Sequence, residues 1–241
     1  MDSFAVALKQ AERDMGGKGI GTLGEKSLHL ALKYYFAPDS DTHERPVGGF
    51  VADAVTEDGV IEIQTRGLSR LKPKLDVFLQ YCLVTVVHPV AVNKWVCKVN
   101  DCGELLSRRK SPKYESVYTA MREIYTLRDY IGNPRFRLCI CETELDEYCI
   151  MAGKGKRQKL DRVPLALRKI RMLASPEDYA ALLPAELPDP FTAAELRAAI
   201  AAPEMQTRLF ISLLSRMKIL KEAGKNGRQK LWQFVSGDIG R

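Results

Sequence analysis

Two acidic residues and one amide lie on two neighbouring apolar runs of this sequence. Asp53 is in the first run, and Glu62 and Gln64 are in the second, with a Thr-Glu-Asp-Gly turn between them. An Asp-Gly pair between β-rich runs is a strong hairpin signal. Opposed residues on paired strands share a face, so a loop at 57–58 sets Asp53 opposite Glu62, whereas a loop at 58–59 sets it opposite Gln64. All three side chains then point the same way, which a three-residue loop would prevent.

The convergence of two carboxylates needs a physical reason, because like charges at cross-strand distance repel each other. A divalent cation removes this repulsion, and magnesium is usually held by one or two carboxylates together with water and substrate phosphate. Asp53 and Glu62 therefore predict a Mg²⁺ or Mn²⁺ site. The alternative interpretation is a solvent-facing acidic hairpin that binds no ligand.

The neighbouring segments predict the elements that position these residues. Residues 19–32 begin a helix, and residues 82–92 form an apolar run typical of a buried strand. Between the hairpin and this strand lies a second predicted helix. Its apolar residues share one face: Leu68, Leu71, Leu75 and Leu79.

The order is helix, strand, strand, helix, strand, with a Glu on the first helix, an Asp on the next strand and Glu-x-Gln on the one after. In this order, about residues 15–95 resemble the PD-(D/E)XK nuclease superfamily, in its archaeal-resolvase-like and restriction-enzyme-like branches. The resemblance implies an α/β fold with a restriction-endonuclease-like mixed sheet flanked by helices. It also implies a metal-dependent endodeoxyribonuclease that hydrolyses DNA phosphodiester bonds.

The resemblance also implies roles for individual residues. Asp53 and Glu62 would bind the metal directly, with the carbonyl of Ile63 as a further oxygen ligand, and Glu25 would complete the acidic site or hold a metal-bound water. The metal would lower the pKa of its water and stabilise charge on the phosphate. Glu25 also follows Thr22 by three residues, the spacing of a capping box, so a role in helix capping alone stays open.

One position departs from the family pattern. Gln64 stands where the family usually has Lys, and an amide can orient a water but supplies no positive charge. Lys72 and Lys74, early on the following helix, could supply that charge, and both also fit a solvated helix face. His29 lies four residues after Glu25 on the same helical face and is either a site residue or an ordinary helix histidine. A nuclease-like DNA-binding protein that no longer cuts DNA is the alternative function.

Charge is concentrated in one segment. The 241 residues carry a net charge of +7, and residues 150–172 contain eight basic residues and one acidic residue. A focused basic segment favours a polyanion such as DNA as a partner, although a solvated loop and helix face is the alternative. The predicted DNA contacts in this segment are Lys154, Lys156, Arg157 and Lys159.

Composition also bears on the compartment. The N-terminal residues are charged and helix-like rather than a signal peptide, and the longest apolar run is too short to span a bilayer. The six cysteines match no common zinc pattern, so we expect buried free thiols in a reducing cytoplasm. No membrane partner is expected.

Further along the chain, local patterns predict several more elements. Residues 93–100 predict a separate strand, 101–113 a polar loop, 114–130 a helix and 136–143 a late strand. A Pro-rich joint follows at 185–192.

Beyond this joint the pattern changes to two helices and a strand–GKNGR–strand hairpin. This order resembles a winged helix-turn-helix domain, with 175–183 as its first helix. In such domains the second helix of the pair often enters the major groove and the wing meets phosphate. The exposed candidates on this helix are Gln206, Arg208, Ser212, Ser215 and Arg216. The candidates on the wing are Lys225, Asn226, Arg228 and Lys230. A winged helix that contacts protein is the alternative.

The predicted organisation is a nuclease-like domain at 1–150, a basic connecting segment at 151–188 and a small C-terminal winged-helix domain at 189–241. Related nucleases often act as dimers, so a homodimer is possible, although the sequence indicates no dimer surface. A protein whose two modules both contact other proteins is the remaining hypothesis, and it would make the basic segment incidental.

Overall fold

The computed structural model describes residues 3–16, 26–152 and 156–235. The helices are α1 (Ser3–Asp14), α2 (Ser27–Phe36), α3 (Lys72–Tyr81), α4 (Met121–Ile124), α5 (Pro176–Ala180), α6 (Ala193–Ile200) and α7 (Glu204–Arg216). The strands are β1 (His43–Val47), β2 (Phe50–Thr56), β3 (Gly59–Ile63), β4 (Val84–Val99), β5 (Leu105–Lys110), β6 (Phe136–Ala152), β7 (Lys156–Leu173), β8 (Phe191–Thr192), β9 (Leu220–Asn226) and β10 (Gln229–Phe234).

A mixed seven-stranded sheet forms the larger part of the molecule. Its order is β1-β2-β3-β4-β6-β7, with β5 paired to the far half of β4. The central pairs β3–β4 and β4–β6 are parallel, and the outer pairs are antiparallel. The expected mixed sheet flanked by helices is thus confirmed at the level of an α/β architecture.

Helices cover both faces of this sheet. On one face α1 and α2 pack through residues such as Phe4 and Leu28 against Ile63 and Val87. The opposite face packs against α3, α4 and α7. The largest apolar side chain that α3 contributes to this core is Phe78. The parallel central strands are therefore buried on both sides, as such strands require.

Several predicted elements are corrected. The two strands predicted from 82 to 100 form the single strand β4. It pairs with β6 on both sides of a bulge near Val92. The predicted polar loop at 101–113 contains strand β5, which pairs with β4 although all six of its residues are exposed. The predicted helix at 114–130 is mostly turns around the four-residue α4 and a short 3₁₀ helix, Tyr125–Leu127.

The basic part of the predicted connecting segment 151–188 is neither a linker nor the solvated loop and helix face that was the alternative. It contains β7, which runs antiparallel to β6 along almost the whole strand and so belongs to the main sheet. Of the helix predicted at 19–32, the described part begins at Ser27 and continues to Phe36.

The C-terminal residues form a small unit of helices and strands. Its three-stranded sheet has the order β8-β10-β9. Helix α6 begins with a capping box between Thr192 and Glu195. This unit shares one apolar core with the main sheet, because Phe210 of α7 packs beside Tyr118.

No helix in the described part of the chain has the length and apolar character needed to cross a membrane.

Candidate active site

The hairpin of β2 and β3 has the predicted two-residue loop. Its ladder pairs Thr56 with Gly59, so the loop consists of residues 57–58. This register sets Asp53 opposite Glu62 and excludes the alternative loop one residue later.

Gly59 allows the hairpin to approach β4 closely. Its φ is +114°, and a Cβ at this position would lie 2.3 Å from the carbonyl oxygen of Leu83. That oxygen accepts a hydrogen bond from the backbone N–H of Val60 at 2.9 Å. Only glycine combines this backbone conformation with so close a contact.

Asp53 is fixed by contacts on both sides. Its Oδ2 accepts a hydrogen bond from the backbone N–H of Ile63 at 2.7 Å, and Nε2 of His29 lies 3.6 Å from the same oxygen. A carboxylate oxygen thus takes the place of a backbone acceptor at the end of the β2–β3 ladder. The carboxylate is thereby held at the carboxyl end of β3, the edge where open α/β sheets bind their ligands.

Glu62 is a buried carboxylate held by one lysine. Its side chain is 2% exposed, and Nζ of Lys74 on α3 donates to both of its oxygens at 2.9 Å. Burial and the neighbouring charge of Asp53 nevertheless raise the pKa of Glu62 to about 7, against the lowering effect of Lys74. The protein therefore stabilises the charge of this carboxylate incompletely.

These side chains line one shallow pocket of about 270 Å³. Its residues are His29, Asp53, Glu62, Ile63, Gln64, Thr65, Arg70, Leu71 and Lys74. Within it the amide of Gln64 donates a hydrogen bond to the carbonyl of Arg66.

One predicted site residue lies outside the pocket, and another has no described position. Lys72 is absent from its lining, and its carbonyl accepts a hydrogen bond from Tyr130 at 3.3 Å. Glu25 lies outside the described residues, so the third predicted acid has no position here. Among the residues that are described, no group of three His, Cys, Asp or Glu side chains is arranged to hold a metal.

The predicted basic DNA contacts are partly neutralised. Arg157 forms an ion pair with Glu147, and Nζ of Lys159 donates to the same carboxylate at 2.9 Å. Lys154 and the side chain of Lys156 lie outside the described residues. The acidic residues of β6 thus face the basic residues of β7 across the hairpin, and the segment is less positive than its sequence indicates.

The candidates on α7 divide into two groups. Arg216 pairs with Asp129 at 3.0 Å, and Ser212 shares a hydrogen bond with Tyr125 at 2.9 Å. Both side chains are therefore engaged with residues that precede the C-terminal unit, although Arg216 remains about half exposed. Their contact with DNA stays a prediction. Arg208 remains exposed and pairs with Glu204 one turn away.

On the hairpin of β9 and β10, the predicted wing candidates are exposed: Lys225, Asn226, Arg228 and Lys230. Lys230 also pairs with Glu222 at 2.7 Å.

Two residues near the acid pocket were missed by sequence reasoning. Arg70 lines the pocket from the 3₁₀ turn before α3. His88 is buried on β4, with Nδ1 2.7 Å from the carbonyl of Gln64, and burial lowers the pKa of this imidazole. The signal for His88 was available, since it interrupts an otherwise apolar strand. Nothing in the sequence indicated Arg70.

Comparison with known proteins identifies a family without an assigned activity. The chain belongs to the DUF8091 family, described as a domain of unknown function, whose model matches residues 26–174. That range runs from the residue before α2 to the residue after β7 and so includes the whole main sheet.

The chain is also similar to a protein of Treponema pallidum (strain Nichols) described as an uncharacterized protein. The two are 32% identical over 221 residues, which cover 89% of this chain and 87% of the relative. No solved structure matches the chain.

Proposed function

We propose that this protein is a metal-dependent endodeoxyribonuclease of the PD-(D/E)XK type. The observation that carries the proposal is the pairing of Asp53 with the buried Glu62 in one pocket, with Lys74 reaching Glu62 from the following helix. Two carboxylates beside one ammonium group are the parts that phosphodiester hydrolysis with a divalent cation requires.

The donor set fits Mg²⁺ or Mn²⁺. Asp53 and Glu62 would hold the ion, with the carbonyl of Ile63 as a further hard oxygen ligand. The raised pKa of Glu62 supports this fit, because a cation beside the pair would relieve both its burial and the repulsion from Asp53. When bound, the ion supplies a water of lowered pKa and charge stabilisation at the phosphate.

Other residues of the pocket position the carboxylates and supply positive charge. The Ile63 N–H holds the carboxylate of Asp53 in position. Lys74 supplies the positive charge that Gln64 lacks, and Arg70 adds a second cation at the pocket for the scissile phosphate. Gln64 can orient a water through its amide.

The C-terminal unit is proposed to be a winged-helix module that holds DNA. The strand order β8-β10-β9 and the sequence β8–α6–α7–β9–β10 support this assignment. The exposed cations of its hairpin, Lys225, Arg228 and Lys230, favour contacts with backbone phosphate.

A nuclease-like protein that binds DNA without cutting it is the second candidate. Its support is specific: Lys74 already bridges both oxygens of Glu62, and Gln64 stands at the usual lysine position. Such a protein would bind DNA with the salt dependence of phosphate contacts and would cleave it with no divalent metal.

A cleavage time course on supercoiled plasmid distinguishes the two candidates. We expect cutting with Mg²⁺ or Mn²⁺, none with EDTA, and loss of cutting in Asp53→Asn and Glu62→Gln with DNA binding retained. Asp58→Asn, which removes an exposed acid from the turn of the same hairpin, is the matched control and should cut normally. Binding without cutting by the unaltered protein under all metals would favour the second candidate, and normal cutting by Glu62→Gln would reject the site.

A further inference from the structure

A second and larger concave surface lies in the C-terminal unit, on the faces of α6, α7 and the β9–β10 hairpin. We call it the hairpin groove, and its volume is about 730 Å³. Its lining residues are Ala193, Ala194, Arg197, Glu204, Thr207, Arg208, Ile211, Ser212, Ser215, Arg228, Gln229, Lys230 and Trp232. Four of these are cations and one is an acid, so the groove favours an anionic ligand.

Two of the four cations are already paired, and two are not. Arg208 pairs with Glu204, and Lys230 pairs with Glu222 outside the groove. Arg197 on α6 and Arg228 on the hairpin are exposed and form no ion pair with any described residue. They lie on different elements that line the groove, and each could take a phosphate.

The groove also offers an aromatic ring and an unsatisfied hydroxyl. Trp232 is half-buried in the lining, with Nζ of Lys230 5.9 Å from its ring centroid. Ser215 Oγ is buried and has no hydrogen-bond partner within the described chain. Buried polar atoms are normally hydrogen-bonded, so this hydroxyl is an exception within the lining of the groove.

The form of the ligand follows from the space and from the position of α7. Ser212 and Arg216 contact Tyr125 and Asp129, so the C-terminal turns of α7 are engaged within the protein and are not presented to a major groove about 12 Å wide. The volume lies in the range of about 300–1,000 Å³ typical of pockets for small ligands, which suits a few nucleotides rather than a duplex. Cations that follow a backbone beside a stacking ring are the features of single-strand sites.

We propose that the hairpin groove binds single-stranded nucleic acid, with Arg197 and Arg228 on its phosphates and a base stacked on Trp232. The proposed nuclease would then act on DNA that carries a single-stranded segment, and this part of the inference rests on the proposed function. The binding of the strand does not rest on that function, because it can be measured in EDTA, where metal-dependent cleavage does not occur.

The test is fluorescence anisotropy in EDTA with the full chain and a labelled oligothymidylate of about 12 nucleotides, a length within single-strand site sizes. We expect this strand to bind at least about tenfold more tightly than a duplex of equal length. Arg197→Ala/Arg228→Ala should weaken strand binding at least about tenfold. It should also reduce the slope of log K against log salt by about 1.4, since each single-strand phosphate contact contributes about 0.7.

Lys9→Ala/Arg13→Ala removes two exposed cations from α1 and is the charge-matched control, which should leave strand binding unchanged. In a Trp95→Phe background Trp232 is the sole tryptophan, and its emission should be quenched as the strand saturates the protein.

Four results would overturn the inference: equal or tighter duplex binding, unchanged strand binding by the double arginine variant, unchanged Trp232 emission at saturation, or full displacement of the strand by polyglutamate at equal charge concentration. If the protein binds the single strand but cleaves no DNA, the proposed nuclease activity is rejected and the proposed binding site in the hairpin groove is retained. If it cleaves DNA but does not bind the single strand, the binding site is rejected and the nuclease activity is retained.

Discussion

Glu62 gives the most informative test of the pocket's electrostatics. Its carboxylate is buried, and its pKa is raised from 4.5 to about 7 by burial and by Asp53. At about 1.4 kcal/mol per pKa unit, ionised Glu62 destabilises the metal-free fold by about 3 kcal/mol. The folded state binds more protons than the unfolded state in this range, so this group should lower the free energy of unfolding as pH rises from about 4.5 to 7.

Glu62→Gln should remove this penalty, because the amide has nearly the same shape and no charge. We expect urea denaturation in EDTA to give equal stabilities for the variant and the unaltered protein near pH 4.5. At pH 8 the variant should be more stable by about 3 kcal/mol, because the raised pKa of Glu62 already includes the contact with Lys74. Glu57→Gln, at the exposed turn of the same hairpin, is the matched control and should show no such trend. A Glu62→Gln advantage that does not grow with pH would refute the reasoning.

Three other positions give measurable consequences. Gly59→Ala should lower the free energy of unfolding by more than about 2 kcal/mol, because the new Cβ meets the carbonyl oxygen of Leu83 and the backbone has a positive φ. Gly103→Ala also has a positive φ but no atom within 4 Å of the new Cβ, so thermal or urea unfolding should show a loss of only about 1 kcal/mol. Glu147→Gln should cost about 3 kcal/mol because it leaves a cluster of cations without their buried counter-charge, and a loss below about 1 kcal/mol would contradict the cluster's role. Lys74→Met should lower the rate of metal-dependent cleavage about 10²-fold, and an equal loss in Lys72→Met would reject the assignment.

The Glu147 cluster also predicts a dependence on pH. Burial opposes its ionisation, but the hydrogen bond from Lys159 and the charges of Lys94 and Arg157 outweigh it and hold the pKa of Glu147 below its ordinary value. A depressed carboxyl pKa stabilises the fold above the pKa of the unfolded chain. This contribution is then lost as pH falls through the lower folded pKa.

Local signals predicted the parts of the structure that depend on neighbouring residues. The sequence allowed a hairpin loop at 57–58 or at 58–59, and the structure has the first of these. The capping box of Thr192 with Glu195 is likewise set within a few residues. The same locality explains why Asp53 and Glu62 could be paired from the sequence, because one hairpin register fixes both positions.

Pairings between distant segments were not predictable in the same way. The bulge near Val92 interrupts the alternation along β4, so one long strand reads as two. The basic residues of β7 looked like a free patch, because their acidic partners on β6 are visible only once the two strands are paired. The packing of α7 on Asp129 joins residues 87 positions apart and leaves no local signal.

The central claim is that Asp53 and Glu62 form a divalent-cation site, and direct titration with Mn²⁺ tests it most closely. Electron paramagnetic resonance counts free Mn²⁺ in the presence of the protein at pH 8, where Glu62 is mainly ionised. We predict one bound Mn²⁺ in the unaltered protein and in Asp58→Asn, with binding lost or weakened at least about tenfold in Asp53→Asn and Glu62→Gln. Equal Mn²⁺ binding by all four proteins, or none by the unaltered protein, would contradict the account.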